Sequence, residues 1–188
     1  MIWEGMRNAS GEGPMKLIVI TGMPAAGKNI AAEYARQHQY PLFSTGDFVR
    51  AEIRRRGCNA DPETSAAIST EMRGPDGLGV TRMAVEEALK QKADAVFLEG
   101  IRSWPEIEFI RSQSPCILVA VVAPRNMRLN RVKQRGRADD SVEHFSERDR
   151  REIEYGVAVC IALADAYVLN DCTMADALRQ LDTIIKTI

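Results

Sequence analysis

The sequence predicts an α/β domain in which a parallel sheet carries helices on both faces. Three observations support this. Short apolar runs alternate along the chain with stretches of helical periodicity. The strongest run, Cys116 to Val122, is apolar throughout, as a strand buried on both faces must be. The first run, Lys16 to Thr21, leads directly into the glycine-rich segment Gly22 to Asn29 (GMPAAGKN) and then into a helical stretch, Ile30 to Gln37.

Strand, glycine-rich turn and helix together are the context of a phosphate-binding P-loop. The glycines let backbone N–H groups turn inward on an anion, and the helix N-terminus adds partial positive charge. Lys28 adds a mobile full charge. The bare spacing of Gly22, Gly27 and Lys28 arises by chance in roughly one chain of this length in twenty, so its weight comes from the strand before it and the helix after it. The expected nucleotide contacts are Gly22, Pro24, Ala25, Ala26, Gly27, Lys28, Asn29 and Ile30. One position departs from the motif. Ser or Thr, whose hydroxyl ligates Mg²⁺, normally follows the lysine, and here the residue is Asn29. A carboxamide oxygen can bind a hard cation, with a different reach and direction. Phosphate binding therefore follows more directly than turnover.

The other elements come in order. Tyr40 to Ser44 reads as a second strand, and helical, charge-rich stretches follow at about 47–57 and 62–73. Gly74 to Gly77 breaks the chain, and helical periodicity resumes from Val80 to Lys90. Asp94 to Leu98 is a third strand, Pro105 to Ser112 a short helix and Cys116 to Val122 the fourth strand. Two helical stretches flank a polar break at about 136–146, then Ala166 to Asn170 forms a last strand and Met174 to Lys186 a last helix. The expected fold is thus a three-layer P-loop NTPase-type domain with a five-stranded parallel sheet.

Ligands of such sheets bind at the carboxyl ends of the strands, so the residues just after each strand are the candidates. After the second strand comes Ser44 to Arg50, where Thr45 or Asp47 reads as a helix N-cap. After the third comes Glu99, a carboxylate placed to hold a metal or its waters, or to pair with a nearby arginine. Arg128, Arg131 and Arg135 are three and four residues apart and share one helix face. Arg137 and Arg148 bracket the loop that contains Asp139 and Asp140. A solvated face is one reading of this run; the other is charge gathered around a transferring phosphate, with the loop after Gly136 closing as a lid.

Composition narrows the class. A chain of 188 residues, 45% hydrophobic and 27% charged, fits one domain with a substantial core. A net charge of −1 gives no reason to propose nucleic acid or an acidic membrane as partner. Cys58, Cys116, Cys160 and Cys172 show no paired spacing, and Cys116 and Cys160 sit in apolar runs as small buried hydrophobes. A reducing cytoplasm is the expected location. No apolar stretch reaches the ~18 residues of a membrane span. Residues 1–14 read as a flexible extension or an upstream start before Met15.

With these residues on the page, the chain from about 15 to 188 resembles adenylate kinase and its nucleoside monophosphate kinase relatives, and most closely a largely archaeal group of adenylate-kinase-related proteins. The resemblance divides the domain into an acceptor-binding insertion at about 45–80 and a short lid at about 135–148. It implies that Thr45 and Arg50 face the acceptor nucleotide and that Arg102 contacts the acceptor phosphate. It implies too that Arg131 lies against the donor adenine, with Arg135, Arg137 and Arg148 on phosphates. Besides Asn29, two positions depart from the pattern. Glu99 replaces the usual Asp, and Glu106 stands where adenylate kinases place the Gln that reads the acceptor adenine. A carboxylate accepts hydrogen bonds but cannot donate them, so ATP as donor is better supported than AMP as acceptor.

The expected activity is Mg²⁺-dependent transfer of the γ-phosphoryl group of ATP to a nucleoside monophosphate, with Asn29 and Glu99 serving the metal. Two alternatives stay open. A hydroxyl acceptor, such as the ribose of dephospho-coenzyme A, would need Asp47 as base. A nucleotide-binding switch with slow hydrolysis would be consistent with Asn29.

Overall fold

A computed structural model describes residues 15–135 and 141–187. The N-terminal extension and Arg137, with the rest of 136–140, lie outside the described residues. In chain order the elements are β1 (Lys16–Thr21), α1 (Asn29–Gln37), β2 (Leu42–Ser44), α2 (Thr45–Arg55), α3 (Pro62–Arg73), α4 (Gly79–Leu89) and β3 (Ala95–Glu99). They continue with α5 (Trp104–Gln113), β4 (Cys116–Val122), α6 (Arg125–Arg135), α7 (Val142–Tyr155), α8 (Val157–Ala162), β5 (Ala166–Leu169) and α9 (Met174–Thr187).

The sheet has five strands, all parallel, in the order β2-β3-β1-β4-β5. Every strand expected from the sequence is present, each within two residues of its expected bounds. Because successive side chains of a strand point to opposite faces, β1 feeds two cores. Ile18 and Ile20 pack with Ile30, Tyr34, Ala177 and Leu181 of α1 and α9. Leu17 and Val19 pack with Ala84, Val85, Ile107, Ile110 and Cys160 of α4, α5 and α8. Each fully buried Leu or Ile stabilises the fold by about 1.5–3 kcal/mol. Burial raises the thiols of Cys116 and Cys160 to about 12 and about 11, so both are inert hydrophobes, as expected. No helix among the described residues is long and apolar enough to cross a membrane.

The polar break after α6 is shorter than expected. Ser141 caps α7 by accepting from the His144 N–H at 3.1 Å, so residues from Val142 onward are already helical. Gly156, at φ 103°, ends α7 and starts α8, dividing what reads as one helical stretch.

This topology positions the site. β1 lies between β3 and β4; the chain runs from β1 to β2 on one side of it and later crosses from β3 to β4 on the other, so the strand order reverses beside β1, the switch point where a crevice opens at the carboxyl ends of the strands.

Candidate functional site

The loop from Gly22 to Lys28 occupies that crevice, and its shape is imposed by close neighbours. A Cβ at Gly22 (φ +145°) would stand 2.3 Å from the Val121 carbonyl oxygen of β4. At Gly27 (φ +95°) a Cβ would meet the Asn170 side-chain nitrogen at 2.0 Å. Ala25 also holds a left-handed φ of 58°. Glycine adopts such angles freely, but at Ala25 the conformation costs about 1–3 kcal/mol and persists only where the surroundings over-determine it.

Side chains from α6 and the end of β5 supply those surroundings. Arg128 Nη1 donates to the Pro24 carbonyl at 2.9 Å. Arg131 Nη1 donates to the Ala25 and Ala26 carbonyls at 3.3 and 3.1 Å, and its Nη2 to the Asn170 carbonyl at 2.7 Å. Asn170 Nδ2 completes the set on Ala26 O at 2.8 Å. In a trans peptide the N–H points opposite to the C=O. Tethering the Pro24 and Ala26 carbonyls outward therefore turns the Ala25 and Gly27 amides toward the crevice, as an anion nest requires.

Lys28 caps α1 and bends back over the loop, with Nζ donating to Gly22 O at 2.6 Å and Met23 O at 3.2 Å. Burial lowers its pKa below the usual 10.5; the carboxylates of Glu152 and Glu99 oppose that shift, while Arg102 and Arg128 add to it. Asn29 opens α1 and is exposed, and Ile30 is buried in the core, so only its backbone can face a ligand.

Beside the loop lies a cavity of about 530 Å³ whose walls come from α2, α3, α4, α7 and the turn after β3. Thr45, Arg50, Arg102 and Arg148, all expected at the site, line it. Thr45 Oγ1 donates to Gly100 O at 3.1 Å and joins the ends of β2 and β3. Arg50 pairs with Asp47 at 2.6 Å, and Arg102 with Glu152 at 3.3 Å. Sequence reasoning missed Arg73, Arg151, Glu152 and Tyr155 in the same lining. Tyr155 holds the guanidinium of Arg73 at 4.9 Å and that of Arg102 at 5.7 Å over its ring. Five arginines thus face two glutamates, Glu106 and Glu152, which leaves the lining with an excess of positive charge.

Glu106, the departure from the Gln of adenylate kinases, lines the cavity and is also part of the capping box of α5. It accepts from Thr81 Oγ1 at 2.5 Å, from the Arg102 and Ser103 amides at 3.0 and 2.9 Å, and from Ser103 Oγ at 2.8 Å. Three of these bonds fall on Oε2, so the carboxylate holds the turn that carries Arg102.

Two expected residues lie off these two centres, and a third meets the loop in another way than expected. Asp47 is exposed on α2 and is not among the described residues lining the cavity. Arg135 ends α6 at the surface. Arg131, expected against the donor adenine, has its guanidinium on the loop carbonyls. Sequence reasoning placed Arg128 on the basic helix face without its contact to the loop, and missed Asp149 and Asn170. Asn170 directly follows β5, so the rule of inspecting strand ends would have found it.

No cluster of three or more His, Cys, Asp or Glu suited to a metal occurs among the described residues. Mg²⁺ in a phosphate site does not need one, because it takes one or two protein oxygens and completes its shell with phosphate and water. Glu99, half-buried and in register with Ile20 of β1, and the exposed Asn29 are hard oxygen donors at the crevice and fit that demand. A larger cavity of about 760 Å³ lies at the opposite end of the sheet, where Cys116 and Ala166 begin β4 and β5.

Phosphate loop, parallel sheet order and flanking helices define a P-loop NTPase-type α/β domain, and residues 21–146 match the family model AAA_17, described as an AAA domain. The chain belongs to the UPF0200 family. It is 41% identical over 180 residues to UPF0200 protein MJ1399 of Methanocaldococcus jannaschii, covering 93% of this chain and 91% of that one. A UPF0200 protein of Thermococcus onnurineus is 37% identical, with 92% and 97% covered. Among solved structures, TT1252 from Thermus thermophilus superposes with a TM-score of 0.62 at 20% identity, covering 93% of this chain and 98% of its own. Shikimate kinase from Bacteroides thetaiotaomicron does so with a TM-score of 0.62 at 17% identity, covering 92% and 99%. At such identities the likeness concerns the fold.

Proposed function

We propose that the protein is a phosphotransferase that moves the γ-phosphoryl group of ATP to a small anionic acceptor, a nucleoside monophosphate in the manner of the nucleotide kinases. The observation that carries this reading is the arginine-lined cavity beside the phosphate loop. Its volume of about 530 Å³ suits a small molecule. Lys28 feels the charges of Glu152 and Arg102 from that lining, so loop and cavity share one electrostatic environment.

In this reading the amides of the loop and Lys28 hold the β- and γ-phosphates. Glu99 and Asn29 would hold Mg²⁺, which neutralises charge on the transferring group when bound. Arg50 and Arg102 clamp the acceptor phosphate, and Arg148, Arg135 and Arg137 spread positive charge over the group in flight. An acceptor phosphate oxygen is already anionic and needs no general base. The position of Asp47, on the exposed face of α2 and paired with Arg50, favours such an acceptor over a hydroxyl.

The test is ADP formation from ATP with each of a panel of monophosphates, with dephospho-coenzyme A, and with no acceptor. ADP that depends on a monophosphate supports the reading. ADP at one slow rate under every condition overturns it in favour of a hydrolytic switch, and ADP only with dephospho-coenzyme A transfers the assignment to a hydroxyl acceptor.

A further inference from the structure

We infer that Arg128 and Asp149 are a positioning pair that joins the donor loop to the helix walling the acceptor cavity; the terms donor and acceptor rest on the function proposed above. Arg128 is 5% exposed and Asp149 7%. Their contact is bidentate, Nη1 to Oδ1 at 2.6 Å and Nη2 to Oδ2 at 2.7 Å. Nη1 is shared, because it also donates to Pro24 O of the phosphate loop at 2.9 Å. The ring of Phe145 lies 5.2 Å from the Arg128 guanidinium and 5.0 Å from that of Arg125, whose Nε stands 3.7 Å from Asp149. The fork is thus held in place from α6, from α7 and by an aromatic face.

Stability alone does not account for this arrangement. Burying two charges costs desolvation, and well-packed apolar residues often stabilise as well or better. The bond to Pro24 is what an apolar pair could not make. A guanidinium is a rigid planar fork, so a shift of Asp149 with α7 carries the hydrogen-bond donor of Pro24 O with it. The peptide bearing that carbonyl also bears the Ala25 N–H. On the same helix, Arg148, Arg151, Glu152 and Tyr155 line the cavity at spacings of three and four residues. Phosphate on the loop and the setting of α7 therefore bias one another through this pair, and such coupling is reciprocal.

The test is amide hydrogen exchange on the full chain with and without ATP and Mg²⁺, in the natural protein, in Asp149→Asn and in the double variant Arg128→Met/Asp149→Leu. The double variant guards against simple misfolding, since it replaces the buried charges by apolar groups; its urea midpoint should match the natural protein. The expected result is that ATP slows exchange in both the loop and α7 of the natural chain. In the double variant ATP should bind about tenfold more weakly, the worth of one charge-assisted hydrogen bond, and should protect the loop without protecting α7. Asp149→Asn, which keeps a hydrogen-bonding oxygen, should fall between. Folded variants that keep both the affinity and the α7 protection would overturn the inference, as would a natural chain that binds ATP with no change in α7. Failure of the natural chain to bind ATP at all would instead remove the donor site, and the role of the pair with it.

Discussion

The phosphate loop and the arginine-lined cavity sit side by side at one end of the sheet, yet they are built in opposite ways. The loop is a single contiguous segment whose carbonyls are tied down by Arg128, Arg131 and Asn170 and whose glycines press on β4 and Asn170. The cavity is walled by five separated stretches, and its arginines are held largely by partly exposed pairs such as Arg50 with Asp47 and Arg102 with Glu152. Even the joint between α2 and α3, Arg56 to Glu71 at 2.7 Å, is at the surface. The first region is pre-organised for one invariant group, a polyphosphate. The second can adjust to a ligand, because exposed ion pairs are weak and easily exchanged.

That contrast can be broken most severely at Lys28. Lys28→Met should lower kcat/KM by about 10²–10³, the usual loss for one group that stabilises charge in the transition state; a steady-state assay checks it, and unchanged turnover would refute the donor assignment. Gly27→Ala comes next, since its Cβ meets Asn170 at 2.0 Å in a left-handed conformation. It should cost about 3 kcal/mol in a urea titration and weaken ATP binding. On the cavity side, Arg102→Ala should raise the acceptor KM about tenfold while leaving that for ATP nearly unchanged. A rise in both would mean the two regions are not separable.

Smaller effects sharpen the comparison. Burial holds the Lys28 pKa below 10.5. In the unliganded protein the stability linked to this group is fully present above 10.5 and is lost as pH falls through the lowered value, because the unfolded chain takes up its proton first. Bound phosphates favour the ammonium, so ATP affinity should fall as pH rises through that lowered value. Titration calorimetry at several pH values, with Lys28→Arg giving a flat profile, checks the sign. The smallest change expected is at the surface joint. Glu71→Gln should alter the acceptor KM by at most about twofold and ATP binding not at all.

The same contrast explains what could be read in advance. The loop was legible because its requirements are local: glycines where φ is positive, a lysine at the helix start, a strand before and a helix after. Glu106 was read only as a departure from a base-reading Gln, although the pattern Ser103 to Glu106 is also that of a capping box, which marks the start of a helix. Arg128 was recognised as sharing a helix face with Arg131, but not its partner Asp149, which lies 21 residues away on another helix. Arg73, Arg151 and Tyr155 carry no local signature; they become site residues only because α3 and α7 meet over the turn that holds Arg102.

Order along the chain was sufficient for the sheet, its parallel sense, the phosphate loop and the run of basic residues, since hydrophobic periodicity and backbone demands are properties of neighbours in sequence. Packing alone settled which arginines face the cavity, which serve the loop from behind and which carboxylates they meet. Those assignments depend on distances between segments that are remote in the chain and meet only when the strands and helices close on one core.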